Sequence, residues 1–360
     1  ESNRGRADMF VNSFINGTNW ADEVTAIDRL AKLTKEDIVT FVNKYLTDQN
    51  YAVIYKKQGQ NPNEKKMAKP TITPIVMNRD VASDFLKEIQ NSNVKPIEPV
   101  FLDFKKDLSQ LKAKSGIPVL YKQNTSNDLF QLIYVFDMGN NNDKALGTAF
   151  DYIDYLGTSD MTPEQVKSEF YRLACNFRVS PGNERTYVVL SGLNENMPEA
   201  MKLFEKLMAD AQVNKEAYTN MVADILKSRK DAKLNQMQNF RRLMNYGMYG
   251  PKSPATNILT ETELQTMDPQ ELTDRIHNQN SYKHRIMYYG PTSEKELLAI
   301  INKNHQAPKK LKEIPVGNEF PRLETPVTKV LISPYEAKQI YMTQLSNRGE
   351  KFDPMIEPSR

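Results

Sequence analysis

Apolar residues along this chain keep two rhythms, and the places where one gives way to the other outline its elements. "LTKEDIVTFVNKYL" (33–46) spaces its apolar side chains three and four apart, as one face of a helix requires. Thr34 is placed as its N-cap, and Glu36 and Asp37 stand in the first turn, where the helix dipole favours them. Met9, Phe10, Phe14 and Ile15 make a similar stripe in what reads as the end of a helix near residue 16. The rhythm shortens in "NYAVIYKK" (50–57), a β-branched and aromatic run that predicts a strand. Prolines then interrupt the chain from about 58 to 99. "KKMAKPTITPIVMNRD" and "NVKPIEPVFLDF" cannot continue as a helix or a central strand, so this stretch predicts a linker.

From residue 100 the pattern of a whole domain follows. "GIPVLYKQ" (116–123) and "LFQLIYVFDMG" (129–139) predict strands on either side of the turn "NTSND". A helix is expected over 144–156. "MTPEQVKSEFYRLAC" predicts a second, with Thr162 as cap, Pro163 in the first turn and Gln165 able to complete a capping box. "RTYVVLSGL" reads as a strand, preceded by "SPGNERT" as its turn. "MPEAMKLFEKLMADA" and one long run from "NKEAYTN" to Gly250-Pro251 read as helices. "MDPQELTDRIHNQN", "KHRIMYYG" and "SEKELLAIINKN" predict helix, strand and closing helix. Beyond a second proline-bearing linker, "TKVLISP" and "KQIYMTQLS" predict two further strands. The fold class expected is α+β, an antiparallel sheet backed by helices on one face.

The unit at 33–56 also lies over the unit at 267–290 in pattern. Thr34 meets Asp268, Ile38 meets Leu272, Val42 meets Ile276, and Ala52 to Tyr55 meet Ile286 to Tyr289. A domain of the same kind is therefore expected to end twice. The expected organisation is a preceding domain's C-terminal part at 1–60, a linker at 61–99, a complete domain at 100–307, a linker at 308–327 and the start of a following domain at 328–360. Glu1 in place of a Met fits a slice of a longer chain.

Composition mostly excludes. With 48 Lys and Arg against 45 Asp and Glu the net charge is only +3, which gives no bulk attraction to nucleic acid or anionic lipid. The six basic residues of "KSRKDAKLNQMQNFRR" read as a solvated helix face. Met237, Met244 and Met248 read as adaptable core. No apolar run approaches the roughly 18 residues of a membrane span. Cys175 stands alone, so an internal disulfide is excluded, and it reads as a small buried hydrophobe. Of the three histidines, His277 and His284 are seven apart, which does not stack two imidazoles on one helical face. Each of His277, His284 and His305 is expected as an isolated surface residue.

"ALGTAFDYIDYLGTSDMTPEQ" (145–165) gathers these signals. Ala145, Leu146, Ala149, Phe150, Ile153 and Leu156 form an apolar stripe, and Gly157-Thr158 turns the chain into the capped helix that follows. Two strands, this helix, Gly-Thr, a second helix, a strand and "MPEAMKLFEKLM" form an order that resembles a homologous half of the insulinase/pitrilysin family of zinc metallopeptidases. In that family an inverted H-x-x-E-H motif precedes the Gly-Thr, with two histidines on zinc and the Glu as general base. Aligned on Gly157-Thr158, the motif falls on Thr148, Ala149, Phe150, Asp151 and Tyr152. Thr148 and Tyr152 then hold the ligand positions and Asp151 the base position, and a hydroxyl and a phenol are poor zinc ligands. The family's third ligand is a Glu on a later helix, yet no Glu occurs between Glu216 and Glu261.

The resemblance implies a clamshell enzyme with zinc in a catalytic half outside this chain and none bound here. The chain would be a non-catalytic half that packs on the catalytic half of the same polypeptide and encloses peptide substrates, with no catalytic, metal or cofactor residue of its own. Nucleic acid and membrane are not expected partners. Two readings compete: a structural or partner-binding relative without peptidase activity, and an unrelated α+β hydrolase with a dispersed site. Asp151 and Asp154 suit a paired-carboxylate arrangement at i, i+3 and equally a solvated helix face.

Overall fold

The computed structural model describes residues 3–49, 51–59, 67–74, 81–337 and 339–349. Contacts divide the chain into two units, Glu1–Val100 and Phe101–Arg360.

The first unit is helical among its described residues. It holds α1 (Asn3–Asn16), α2 (Trp20–Val24), α3 (Ala26–Leu30), α4 (Lys35–Tyr45) and α5 (Asp84–Asn91). Thr34 caps α4 through a full capping box, its hydroxyl accepting the Asp37 amide while Asp37 accepts from the Thr34 amide at 2.9 Å. Phe10 of α1 stacks on Trp20 with ring centroids 4.1 Å apart. The strand expected at 50–57 is not formed over 51–57, and Asn50 lies outside the described residues. The physical reason is a missing ladder: among the described residues of this unit no strand pairs with it, and Val53, Ile54 and Tyr55 remain exposed. Sequence reading also passed over α5, which lies between the two proline clusters and is capped by Ser83.

The second unit carries the sheet and the core. Its strands are β1 (Ser109–Lys112), β2 (Pro118–Gln123), β3 (Leu129–Phe136), β4 (Cys175–Pro181), β5 (Thr186–Leu193) and β6 (His284–Gly290), in the order β1-β2-β6-β3-β5-β4. Pairing is antiparallel except between β2 and β6, which run parallel with Val119 opposite Ile286. The sheet is thus open and mixed at one seam. Its helices are α6 (Leu146–Tyr152), α7 (Pro163–Arg172), α8 (Met197–Asp210), α9 (Lys215–Ala232), α10 (Gln236–Tyr249), α11 (Glu261–Thr266), α12 (Gln270–Asn278) and α13 (Glu294–Asn304).

Alternation places one face of the sheet against helices. Leu132, Tyr134 and Phe136 of β3, with Val188 and Leu190 of β5 and Ile286 of β6, are fully buried there. They meet Met197, Met201 and Phe204 of α8, Leu272 and Ile276 of α12, and Leu297 and Ile301 of α13 in one cluster. Each large side chain so buried contributes about 1.5–3 kcal/mol. On the opposite face Gln131, Met287 and Tyr289 stay exposed.

Several boundaries differ from the sequence reading. The long helix expected up to Gly250 is two helices, α9 and α10, broken around Leu234-Asn235; Asn235 caps α10 by accepting the Gln238 amide. Gly250 ends α10 as expected, at φ 75°, a left-handed backbone that favours glycine. The expected helix through Cys175 stops at Arg172, and Ala174 turns with φ 47° so that Cys175 opens β4. Residues 328–334 form no strand, nor do 339–346; Lys338 lies outside the described residues. This tail runs instead along α10: the Leu323 amide donates to Met248 O, Gln236 donates to Gln339 O, and Phe240 packs on Tyr341. Met237, Met244 and Met248 are not core, for α10 buries no residue fully.

Candidate functional site

The helix expected to carry the motif is short and tightly held. Its first turn has no side-chain cap at Ala145; Asn140 and Asp143 serve instead, accepting the amides of Gly147 and Ala145 at 2.9 and 3.0 Å. Asp143 is in turn fixed by Arg275 of α12, at 2.7 Å. Lys144 reaches Glu263 of α11 at 2.6 Å, and this ammonium, with the Thr260 amide, holds the Glu263 carboxyl down to about 2. After α6 a 3-10 turn (Ile153–Tyr155) leads into Gly157. A Cβ there would lie 2.1 Å from Met161 O, so the tight return of the chain toward α7 admits glycine only. Thr162, Pro163 and Gln165 then form the expected first turn, with the capping box complete.

The three motif positions part company. Thr148 is half-buried and does not line the cleft beside this helix. Tyr152 is turned fully into the core: its phenol donates to Asn214 O at 2.6 Å and accepts the Asn214 amide at 2.9 Å. Its ring meets Tyr218 of α9 edge-on, and burial pushes the phenol above its ordinary value. Asp151 alone faces an open cleft. There α9 presents Met221, Asp224, Ile225 and Ser228, which share one helical face, to Asp151, Asp154 and Tyr155.

Arg229 and Arg242 complete the walls of this cleft, whose volume is about 530 Å³. Asp151 is exposed overall but set against the wall; desolvation first, and the charge of Asp154 second, raise its carboxyl above the usual carboxylate range. Neither arginine is among its partners. The cleft therefore gathers acids and bases that leave one another unpaired, beside an apolar floor. Two of the six basic residues read as a solvated face thus belong to a concave surface.

As a metal centre this arrangement is poor. Zinc sites use Cys, His and carboxylate ligands in a tetrahedron. Here one ligand position is a phenol already engaged as donor and acceptor, and the other is a hydroxyl outside the cleft. Among the described residues no three His, Cys, Asp or Glu side chains gather as they would around an ion.

The histidines overturn their expectation. His284 is buried, the His305 side chain is 2 % exposed, and their Nε2 atoms lie 2.9 Å apart. Only His277 stands apart from the others, its Nε2 3.1 Å from Ala211 O. A strand start and a helix end, 21 residues apart in sequence, bring His284 and His305 together over α8; no spacing rule announces such a meeting. Cys175 is buried as expected, with Sγ 3.8 Å from Leu193 O and a thiol that burial pushes up. Among the described residues no helix is long and apolar enough to cross a membrane.

No protein-family model matches the chain, and no curated protein matches it in sequence. Solved structures do. The periplasmic protease PqqL from Escherichia coli superposes with a TM-score of 0.53 at 14 % identity, over 90 % of this chain and 38 % of that one. A mutant of the ferredoxin protease FusC, in complex with Arabidopsis ferredoxin, gives a TM-score of 0.52 at 9 % identity, over 89 % of this chain and 38 % of that one. The chain thus spans less than two fifths of the length of these proteins. At such identity the likeness concerns the fold alone, which this chain shares with part of each of these two proteases.

Proposed function

We propose that this chain is the non-catalytic half of a zinc-dependent metalloendopeptidase, packing on a catalytic half of the same polypeptide and lining a chamber that encloses peptides. The observation that carries the reading is Tyr152. At the position of a zinc ligand stands a phenol whose oxygen serves the Asn214 backbone in both directions. The helix is kept and its donor is spent on packing, as suits a wall rather than a reaction centre. The cleft beside it, with Asp151, Asp154 and Asp224 facing Arg229 and Arg242 over Met221 and Ile225, offers a peptide both signs of charge and an apolar floor. On this reading zinc and the general base belong to the other half, and the chain alone neither binds zinc nor cleaves. The length it spans of the matched proteases leaves room for that half.

A peptidase assay tests this in two arms. This chain alone, incubated with a fluorogenic peptide library and zinc, is expected to show no cleavage that a chelator abolishes. The longer protein is expected to cleave in a chelator-sensitive manner. Activity of the chain alone contradicts the wall reading. Inactivity of both favours the structural relative, which the spent Tyr152 also suits.

A further inference from the structure

Glu205 of α8 is the one acidic side chain buried among the described residues, at 1 % exposure, and the fold saturates it. Oε1 accepts from the Tyr134 hydroxyl at 3.0 Å and from His305 Nδ1 at 2.6 Å. Oε2 accepts from Asn280 Nδ2 at 2.8 Å and from the Gln306 amide at 3.1 Å. These donors come from β3, from the turn after α12, and from the two residues that follow α13. One carboxylate thus ties the sheet and the helical layer to the segment that leaves the closing helix.

Behind it the histidines form a relay whose protons can be counted. His284 Nδ1 lies 2.7 Å from Tyr282 O; a carbonyl only accepts, so Nδ1 carries a hydrogen. The proton between Glu205 and His305 Nδ1 fills a second contact. With only these, both rings would aim Nε2 lone pairs at each other across 2.9 Å. The contact is a hydrogen bond only when one further proton lies between them. Three protons on two imidazoles and one carboxylate give zero net charge, the arrangement a buried site tolerates. Desolvation foremost, with the charge of His305 adding to it, holds His284 down to about 4, so His284 is the acceptor.

We propose that the Glu205–His305–His284 relay is a proton-operated latch: it fastens residues 305–306 to α8, and a second proton on His284 releases them. With both Nε2 atoms protonated, two donors face each other and two cationic rings share one carboxylate. The neighbouring groups are few. Tyr134 faces the relay from β3, its phenol raised by burial and by Glu205. From the strand's start come Tyr282, with Lys312 over its ring, and Lys283, paired with Glu313. Arg285 is paired with Asp137 on the far face. Further along, the segment is held by ordinary backbone bonds, Lys312 N to Ser281 O and Lys283 N to Lys312 O, so the release is local.

Amide hydrogen exchange on the whole chain, followed against pH and corrected for intrinsic rates, tests the latch. The Gln306 amide is expected to be protected at neutral pH and to exchange at least about tenfold faster below the His284 transition, while β3 and β5 keep their protection. His284→Gln replaces the titrating ring with a carboxamide oxygen that still accepts from His305, and should stay protected in acid. Glu313→Gln breaks the Lys283 pair and should leave the transition in place. Acid release in His284→Gln, or its disappearance in Glu313→Gln, would overturn the proposal. If His284→Gln does not fold, imidazole nitrogen spectra of the unaltered chain decide: three ring N–H protons on His284 and His305 at neutral pH are expected. Two, or a zinc ion displacing the shared one, would contradict the latch.

Discussion

Two polar centres lie within one domain and have opposite fates. In the cleft between α6 and α9, Asp151, Asp154 and Asp224 face Arg229 and Arg242 without pairing, and water screens them. In the core, Glu205 meets four donors and excludes water. The difference lies in who supplies the partners. Around Glu205 the chain brings hydrogen-bond donors from several elements, and burial follows. Around Asp151 the burden is left to something outside the domain, or to solvent. Tyr152 marks the border, for it stands next to Asp151 in sequence and belongs entirely to the core.

The comparison breaks most sharply at Glu205. Glu205→Ala strands His305, Asn280 and Tyr134 without their acceptor, and chemical denaturation should show a loss of about 3–5 kcal/mol. Acid should act next. The unfolded chain protonates His284 near its ordinary value of 6.5, the folded chain only near 4, so between these the unfolded state holds more protons. Stability therefore falls as pH drops through that window, by about 3 kcal/mol, and the decline should flatten in His284→Gln. Tyr152→Phe removes both bonds to Asn214 and should cost about 1–3 kcal/mol, felt as a lower unfolding midpoint. Asp151→Asn lies at the other end: relieved of Asp154, it should change stability by under about 0.5 kcal/mol, in the stabilising direction near neutral pH. A large loss in Asp151→Asn would mean that the cleft is structural after all.

Much of this fold was legible where local signals and tertiary need agree. The caps at Thr34 and Thr162, the strands β3, β5 and β6, and the glycine stop at Gly250 all follow from residues close together in sequence. The pattern shared by 33–56 and 267–290 shows where that logic ends. Leu272, Ile276 and Ile286 are fully buried, while their counterparts Ile38 and Val42 are 53 % and 39 % exposed and the strand after them is absent. A pattern states what a segment is able to bury, and a partner decides whether it does. β4 escaped notice for another reason. Ala174 takes the left-handed turn usually left to glycine or asparagine, so "EFYRLAC" read as helix to its end.

The candidate site divides the same way. Alignment on Gly157-Thr158 put Asp151 and Tyr152 on one helix, and both do lie on α6, while the absence of Glu between Glu216 and Glu261 can be read directly from the sequence. That Tyr152 would turn inward to Asn214, 62 residues on, or that Glu205 would meet a histidine 100 residues later, depends on contacts that no local pattern encodes. Buried polar networks are assembled by topology, and their members carry no spacing.

On the proposed reading the helix before Gly157 holds no metal, its Tyr152 oxygen being spent on the Asn214 backbone. Equilibrium dialysis of this chain against zinc, read by elemental analysis, tests it most directly. No stoichiometric zinc is expected, with Thr148→Ala and Tyr152→Phe leaving the metal content unchanged. About one tightly held zinc per chain, lost in either variant, would contradict it.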